Sequence, residues 1–159
     1  MNMVFEPELP ETLRIRVNSS SKRVAAFTKV FLENKLKWKF NFAVSTRNYL
    51  FLDFDCKGEF EDCLAEAKGI AKALVMRFGG EAIIYRTPNG YHLIFKRWFS
   101  WRELQSIIKA LIQGIEEGAF QYLDRAHLEA SLRRGYMTLR LNQIRKVWGY
   151  RYPGIELKW

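Results

Sequence analysis

Two aspartates at the end of an apolar run are the residues that point most directly to chemistry. The run spans residues 49–52 and is apolar at every position, which predicts a central strand covered on both faces. Asp53 and Asp55 follow it with Phe54 between them. Alternate residues of a strand point to the same face, so the two carboxylates would lie side by side, with Cα atoms roughly 6 to 7 Å apart. Like charges this close repel each other, and bound Mg²⁺ or Mn²⁺ would offset the repulsion. A simple strand end is the alternative interpretation.

A histidine beside a glycine forms the second candidate. His92 follows Asn89, Gly90 and Tyr91 and precedes an apolar strand. Gly90 permits a close backbone approach, and an imidazole can hydrogen-bond a phosphate. A lone histidine is more often structural, and His127, the other histidine, has no comparable setting.

An acid that precedes a basic strand forms the third candidate. Glu129 is followed by Arg133, Arg134 and then Arg140, which lies within an apolar run. Arginine can bind a phosphate through two parallel hydrogen bonds. Arg133 and Arg134 could equally be solvated, whereas Arg140 in an apolar strand requires a partner.

Taken together and in chain order, the three pieces resemble the catalytic motifs of the archaeo-eukaryotic primase superfamily, which includes primase-polymerases. Asp53-Phe54-Asp55 matches its two acids separated by a hydrophobic residue, and Gly90-Tyr91-His92 matches its small residue, any residue and histidine. Glu129 with Leu139-Arg140-Leu141 matches its acid and downstream basic strand residue. Asp124 offers a competing assignment for the third acid.

The resemblance implies a metal-dependent nucleotidyltransferase of the DNA primase or polymerase type. Such an enzyme joins a nucleoside triphosphate to a 3′-hydroxyl on a nucleic-acid template, with one metal activating the nucleophile and the other stabilising pyrophosphate. The catalytic residues, which would hold Mg²⁺ or Mn²⁺, are Asp53, Asp55 and Glu129. The residues that would bind the nucleotide are His92, Gly90, Asn89 and Arg140. A replication or repair subunit is a further expected partner.

Hydrophobic periodicity predicts an α+β fold with at least one antiparallel hairpin. Strands are predicted over residues 13–17, 40–44, 49–52, 82–85, 91–95 and 136–141, and helices over 22–35, 59–78, 101–115 and 128–132. The family resemblance adds an RRM-like mixed or antiparallel sheet with packed helices. We expect one domain over residues 1–159, in which residues 1–48 form a possible N-terminal unit and residues 49–159 the catalytic core.

Composition favours a single basic domain. The chain has 159 residues, of which 48% are hydrophobic, enough to fill one core. Its 26 Lys and Arg against 17 Asp and Glu give a net charge of +9 and a pI near 9.7. This balance favours a polyanion such as nucleic acid, although a solvated basic surface produces the same excess.

Two other functions are open. A non-catalytic nucleic-acid-binding module of the same fold could stack bases on aromatic rings, which make up 15% of the chain. Basic residues expected to contact nucleic acid are Arg133, Arg134, Arg145 and Lys146, beside the C-terminal aromatics Trp148 and Tyr150. A rolling-circle endonuclease is disfavoured, because the sequence lacks a His-hydrophobic-His metal motif.

The two cysteines and the apolar runs indicate a cytoplasmic location. Cys56 and Cys63 form no CxxC pair, so a structural zinc site is not expected. Cys63 falls on the apolar side of its predicted helix, where a small buried hydrophobe is favoured over a reactive thiol. Residues 1–11 lack the features of a secretory signal, and no apolar run approaches the ~20 residues of a membrane helix.

Overall fold

The structure is a computed structural model, and it describes residues 2–8, 15–18, 41–140, 144–152 and 155–157. The helix predicted over residues 22–35 lies outside the described residues. Among the described helices, none is both long and apolar enough to cross a bilayer.

The described chain forms two antiparallel sheets and three helices, which confirms the predicted α+β class. A four-stranded sheet has the order β2-β1-β3-β7, with β1 Asn2–Glu8, β2 Ile15–Asn18, β3 Asn41–Thr46 and β7 Met137–Arg140. A five-stranded sheet has the order β4-β6-β5-β8-β9, with β4 Leu50–Asp55, β5 Glu81–Arg86, β6 Gly90–Lys96, β8 Arg145–Arg151 and β9 Ile155–Leu157. The helices are α1 Phe60–Phe78, α2 Trp101–Glu116 and α3 Arg125–Arg134.

Local sequence signals set the helix ends. Ser100 and Glu103 form a capping box at the start of α2, in which each side chain accepts a hydrogen bond from the other residue's backbone N–H. Gly79 ends α1 at a positive φ of 75°, and its N–H donates to the carbonyl of Val75. Gly135 ends α3 in the left-handed region, which glycine adopts without a Cβ clash.

Strand β4, which carries both aspartates, lies at the edge of its sheet. The prediction of a central strand from the apolar run over residues 49–52 is wrong, because among the described strands of its sheet β4 pairs with β6 alone. Leu50, Phe51 and Leu52 are nevertheless fully buried. Residues 122–124 lie along the outer side of β4, and Leu123 forms an isolated bridge with Phe54. The apolar run therefore reflects burial of both faces of β4 and not a central position in the sheet.

Helix α1 covers one face of the five-stranded sheet. Its Phe60 ring meets Tyr91 edge to face, with centroids 6.4 Å apart, and its Phe78 ring lies 6.5 Å from Phe95. Side chains alternate between the two faces of a strand. Tyr91 and Phe95 point towards α1, so the residue after Tyr91 and the residue before Phe95 point away from it. Asp53 belongs to the opposite face, which we call the carboxylate face.

A β-bulge in strand β8 changes which of its side chains reach the carboxylate face. Trp148 pairs with Ile84, but Tyr85 pairs with Lys146, so Val147 is an extra residue in the ladder. Cross-strand partners share a face, so Lys146 lies on the same face as Tyr85 and Trp148 lies on the face covered by α1. A regular strand would instead have placed Lys146 and Trp148 together.

Three strands were not predicted, and one strand of the predicted catalytic core pairs with a strand of the predicted N-terminal unit. Pro7 interrupts the pattern of β1, the bulge interrupts that of β8, and β9 is only three residues long. β7 pairs with β3, with Leu139 opposite Val44. The boundary at residue 48 therefore does not coincide with the division between the two sheets.

Cys56 and Cys63 form a disulfide, with Cα atoms 5.3 Å apart, and both residues are fully buried. The expectation that Cys63 is simply a small buried hydrophobic residue is therefore wrong. It faces the core as predicted, but the turn after β4 brings Cys56 back to the first turn of α1. Sequence spacing alone could not show this return.

Opening this disulfide is expected to lower the free energy of unfolding. The two cysteines are 7 residues apart, and closing so short a loop stabilises a fold by about 2 to 3 kcal/mol. Urea unfolding of the oxidised protein and of a Cys56→Ser, Cys63→Ser variant would measure the difference. Two free thiols in the denatured, unreduced wild type would contradict the disulfide.

Candidate functional site

The central contact of the site joins Asp53 and His92 across neighbouring strands. The two residues are directly paired in the β4–β6 ladder, and His92 Nε2 lies 3.3 Å from Asp53 Oδ1. The Asp53 side chain is 33% exposed, whereas the His92 side chain is 11% exposed. The carboxylate thus remains open to a ligand while the imidazole supports it from within the sheet.

The second ring nitrogen of His92 lacks a partner. Nδ1 is buried and has no hydrogen-bond partner among the described residues. A buried polar atom without a hydrogen bond is costly, so a bound water, ion or ligand is expected to supply the partner of Nδ1. An imidazolium with Nε2–H directed to Asp53 would offer Nδ1–H to an anion.

The surroundings of Asp53 keep its carboxyl group ionised. Burial alone would raise the pKa of Asp53, but the hydrogen bond and charge of His92, the charge of His127 and the backbone of Phe54 lower it below its ordinary value. Asp53 therefore carries a full negative charge at neutral pH. A carboxylate of this kind is a suitable oxygen ligand for a hard cation.

Two further polar residues continue the line from Asp53 across the carboxylate face. His92 pairs with Tyr85, and Tyr85 pairs with Lys146. The line therefore contains a carboxylate, an imidazole, a phenol and an ammonium group on four successive strands. Tyr85 is 1% exposed and Lys146 is partly buried. Such a row presents negative charge at one end and positive charge at the other.

Asp55, Gly90 and Asn89 lie at the turn beside this row. The exposed Asp55 shares the carboxylate face with Asp53, and its Oδ1 accepts a hydrogen bond from Lys57 N at 3.2 Å. Gly90 pairs with Asp55, and a Cβ at Gly90 would overlap the carbonyl of Phe54, so the predicted close backbone approach is confirmed. The carbonyl of Asn89 accepts a hydrogen bond from Cys56 N at 3.1 Å.

Residues 122–124 place a third acid beside β4. Asp55 N donates to the carbonyl of Tyr122 at 3.0 Å, and Asp124 N donates to the carbonyl of Asp53 at 2.9 Å. Asp124 is also the N-cap of α3, where its Oδ1 accepts a hydrogen bond from His127 N at 3.2 Å. The competing third acid of the sequence is thus adjacent to Asp53 in the backbone network.

His127 belongs to this neighbourhood, although no role was predicted for it. Its Nε2 lies 2.9 Å from the carbonyl oxygen of Phe51, which can only accept, so Nε2 carries the proton. Burial lowers the pKa of His127, and the charge of His92 acts in the same direction, while Phe51 and the acids Asp53 and Asp124 oppose the change. The sequence signal for this placement was the spacing from Asp124 to His127, which sets the two residues one helical turn apart.

His127 is expected to make stability depend on pH below neutrality. Because burial lowers its folded pKa below the ordinary 6.5, the unfolded chain binds more protons between these two values. The contribution of His127 to the free energy of unfolding is therefore fully present above pH 6.5. It decreases as the pH drops towards the folded pKa, by at most about 1.4 kcal/mol per pH unit. Urea midpoints at several pH values should show this slope in wild type and a smaller one in His127→Gln. Equal slopes would contradict it.

Glu129, the first choice for the third acid, takes part in a surface ion-pair network. Its Oε1 accepts a hydrogen bond from Arg125 Nε at 2.6 Å, and Arg125 Nη2 lies 2.6 Å from Glu116 Oε1. This network joins the start of α3 to the end of α2. Glu129 therefore already has a cationic partner in Arg125.

The predicted phosphate-binding arginines are dispersed. Arg140 lies on β7 of the four-stranded sheet, opposite Ala43, and is exposed. Arg133 and Arg134 occupy the last turn of α3, where cations favour the helix dipole. Arg145 pairs with Arg86 and so lies on the α1 face of β8. Lys146 alone of the predicted basic residues lies in register with Asp53 and His92.

The C-terminal aromatics pack beneath α1. The rings of Trp148 and Tyr150 are stacked with centroids 5.7 Å apart. Lys72 Nζ lies 5.8 Å from both ring centroids, and Lys68 Nζ lies 5.7 Å from that of Trp148. These rings therefore face away from the carboxylates, and their lysine contacts are made within the protein.

The donor chemistry around Asp53 fits a divalent cation. Asp53 and Asp55 offer carboxylate oxygens on one face, and Mg²⁺ and Mn²⁺ prefer oxygen ligands. Among the described residues, no group of three or more His, Cys, Asp or Glu side chains is arranged to hold a metal ion. The two aspartates fit as a ligand pair, and Asp124 would complete the set only after its side chain turned from its cap.

No protein-family model matches the chain, and comparisons with curated proteins and with solved structures find no match. The resemblance to the archaeo-eukaryotic primase superfamily therefore rests on its motifs and remains a prediction.

Proposed function

We propose that the chain is a metal-dependent nucleotidyltransferase of the DNA primase or polymerase type, built on an RRM-like catalytic core. The buried His92 imidazole carries the proposal, because one nitrogen supports Asp53 and the other has no partner among the described residues. An imidazole that contacts a carboxylate through one nitrogen and can hydrogen-bond a phosphate through the other suits a site that binds a metal and a phosphate together. The order β4-α1-β5-β6-α2, with the acids opposite α1, supports the core assignment.

The proposed metal ligands are Asp53 and Asp55, with Asp124 preferred to Glu129 as the third. Asp124 is bonded through its backbone to Asp53, whereas Glu129 already accepts a short hydrogen bond from Arg125. When bound, Mg²⁺ or Mn²⁺ would activate the 3′-hydroxyl and neutralise charge on the leaving pyrophosphate. The low pKa of Asp53 keeps that ligand charged without metal.

The proposed nucleotide site follows the polar row. His92 would donate Nδ1–H to a phosphate oxygen while Nε2–H remains directed to Asp53. Lys146, two strands further along the same row, would neutralise the distal phosphates as a point charge. Arg140 is not needed in this arrangement.

The proposed partners are a nucleic-acid template or primer, nucleoside triphosphates, and a replication or repair subunit. The net charge of +9 favours polyanions. The proposed compartment is the cytoplasm, where these substrates occur. Disulfides are uncommon there, and burial of both Cys56 and Cys63 would limit access by thiol reductants.

Labelled-nucleotide incorporation tests the proposal. Primed and unprimed templates would be incubated with ribo- or deoxynucleoside triphosphates and Mg²⁺ or Mn²⁺, and extension products measured. We expect incorporation that depends on both template and metal. No incorporation on any template with either metal would contradict the enzymatic function.

A non-catalytic nucleic-acid-binding module is the second candidate. Arg134 lies over the ring of Tyr136 at 5.3 Å, and both residues are exposed, a pairing on which a base can stack. Salt-dependent binding unaffected by metal and by loss of Asp53 and Asp55 would favour this module. Metal-dependent incorporation would favour the enzyme.

A further inference from the structure

One carboxylate of α1 holds the segment that leads to Asp124. Glu66 Oε1 accepts a hydrogen bond from the backbone N–H of Gln121, and Oε2 accepts from Tyr122 at 2.9 Å and Leu123 at 2.8 Å. Three consecutive N–H groups that converge on one anion form a concave binding site of the kind that commonly holds phosphates. Here a side chain 55 to 57 residues away occupies it.

The other side of the same segment is bonded to β4. The carbonyl of Tyr122 accepts from Asp55 N at 3.0 Å, and Asp124 N donates to Asp53 O at 2.9 Å. The segment is thus held between Glu66 and the strand that carries both aspartates. Moving it would move Asp124 relative to Asp53 and Asp55.

We propose that Glu66 is a positioning residue of the carboxylate site: it acts through the backbone of residues 121–123 to hold Asp124 against Asp53. This inference rests on the proposed function, because it gives Asp124 a role as a ligand. Glu66 touches neither aspartate in this role, and the three backbone hydrogen bonds transmit its effect. A neutral side chain cannot replace it, because the amide of a glutamine offers one acceptor and directs N–H groups at other donors.

Glu66→Gln tests the inference through two measurements that do not depend on catalysis. Amide hydrogen exchange would report the segment, and Mn²⁺ alone, titrated by electron paramagnetic resonance, would report the ligand set. In Glu66→Gln we expect exchange at Tyr122, Leu123 and Asp55 to rise at least about tenfold. We expect Mn²⁺ affinity to fall about 10- to 100-fold, as when the partners of metal ligands are removed.

Glu61→Gln is the matched control, because Glu61 is an exposed acid of the same helix. It removes the same charge and should leave both measurements unchanged. Exchange protection in β5 and β6 would show that each variant is folded. Should Glu66→Gln fail to fold, Glu66→Asp keeps the charge but withdraws the carboxylate, and should give smaller changes in the same direction.

The outcomes separate this inference from the proposed function. Unchanged exchange at Tyr122 and Leu123 in Glu66→Gln would overturn the role of Glu66 in holding the segment. Faster exchange with wild-type Mn²⁺ affinity would overturn its positioning role and leave the metal site standing. A wild type that binds no Mn²⁺ would overturn the proposed metal site and the ligand role of Asp124, while exchange would still decide whether Glu66 holds the segment.

Discussion

Replacing Asp53 and Asp55 together with asparagine is expected to lower nucleotide incorporation by about 10³-fold or more. Charge stabilisation by the bound metal lowers the free energy of the transition state by several kcal/mol. Losing it corresponds to a rate loss of about 10³-fold or more. Asparagine keeps the volume and can still accept the hydrogen bond from His92 Nε2. The variant should also lose any rise in Tm that Mn²⁺ produces in the wild type.

The control for charge is a Glu61→Gln, Asp62→Asn variant, which changes two exposed acids in the first turn of α1. It alters the net charge by the same amount and should keep its incorporation rate and its Mn²⁺-dependent Tm. Incorporation by the Asp53, Asp55 variant at the control's rate would exclude the carboxylate face as the active site.

Gly90→Ala is expected to lower the free energy of unfolding by about 3 kcal/mol, a large loss for a single added methyl group. A Cβ at this position would overlap the carbonyl of Phe54 and approach Asp55 Cα at 3.4 Å. These are backbone atoms, so no side-chain rotation relieves the overlap, and overpacking of this kind typically costs about 1 to 3 kcal/mol, occasionally more. β4 and β6 would have to separate beside Asp55. Urea unfolding would measure the change.

Gly69→Ala provides the matched control for this substitution. Gly69 lies within α1, and a Cβ there would meet nothing within 4 Å. Alanine in an open helical position should stabilise the protein by about 0.5 to 1 kcal/mol. Opposite signs for the two variants are therefore expected. Similar unfolding midpoints for Gly90→Ala and wild type would be inconsistent with the close pairing of β4 and β6.

The helices were predictable because their signals are local. The stripe over residues 60–78 and its glycine stop, like the capping box at Ser100, act within a few residues of each other. The hairpin between β5 and β6 was predictable for the same reason, since Thr87 to Gly90 favour a turn. Neighbouring residues determine such features, so the sequence shows them directly.

Features set by distant contacts were not predictable. The edge position of β4 depends on where β8 pairs, and the bulge at Val147 breaks the alternation that would have placed Lys146 beside Trp148. The disulfide depends on the turn that returns Cys56 to α1. None of these contacts has a periodic signature in the sequence.

The candidate site was predictable in part. Pairing of β4 with β6 brings Asp53 and His92 together, as their shared place in the motifs suggested. Glu129 was assigned from its spacing to Arg140, but helix geometry directs Glu129 towards Arg125, one turn earlier. His127 was overlooked because its link to the site is a hydrogen bond to the Phe51 carbonyl, which involves no side chain of the motif.

The covered outer side of β4 also bears on how copies of this protein meet. An exposed strand edge offers unpaired backbone groups to which a second chain can add, and many sheet proteins must guard against such edge-to-edge association. Here the carbonyls of Phe51 and Asp53 and the amide of Asp55 already have partners on residues 122–127. The residues that frame the carboxylates thus also close this edge to intermolecular strand addition.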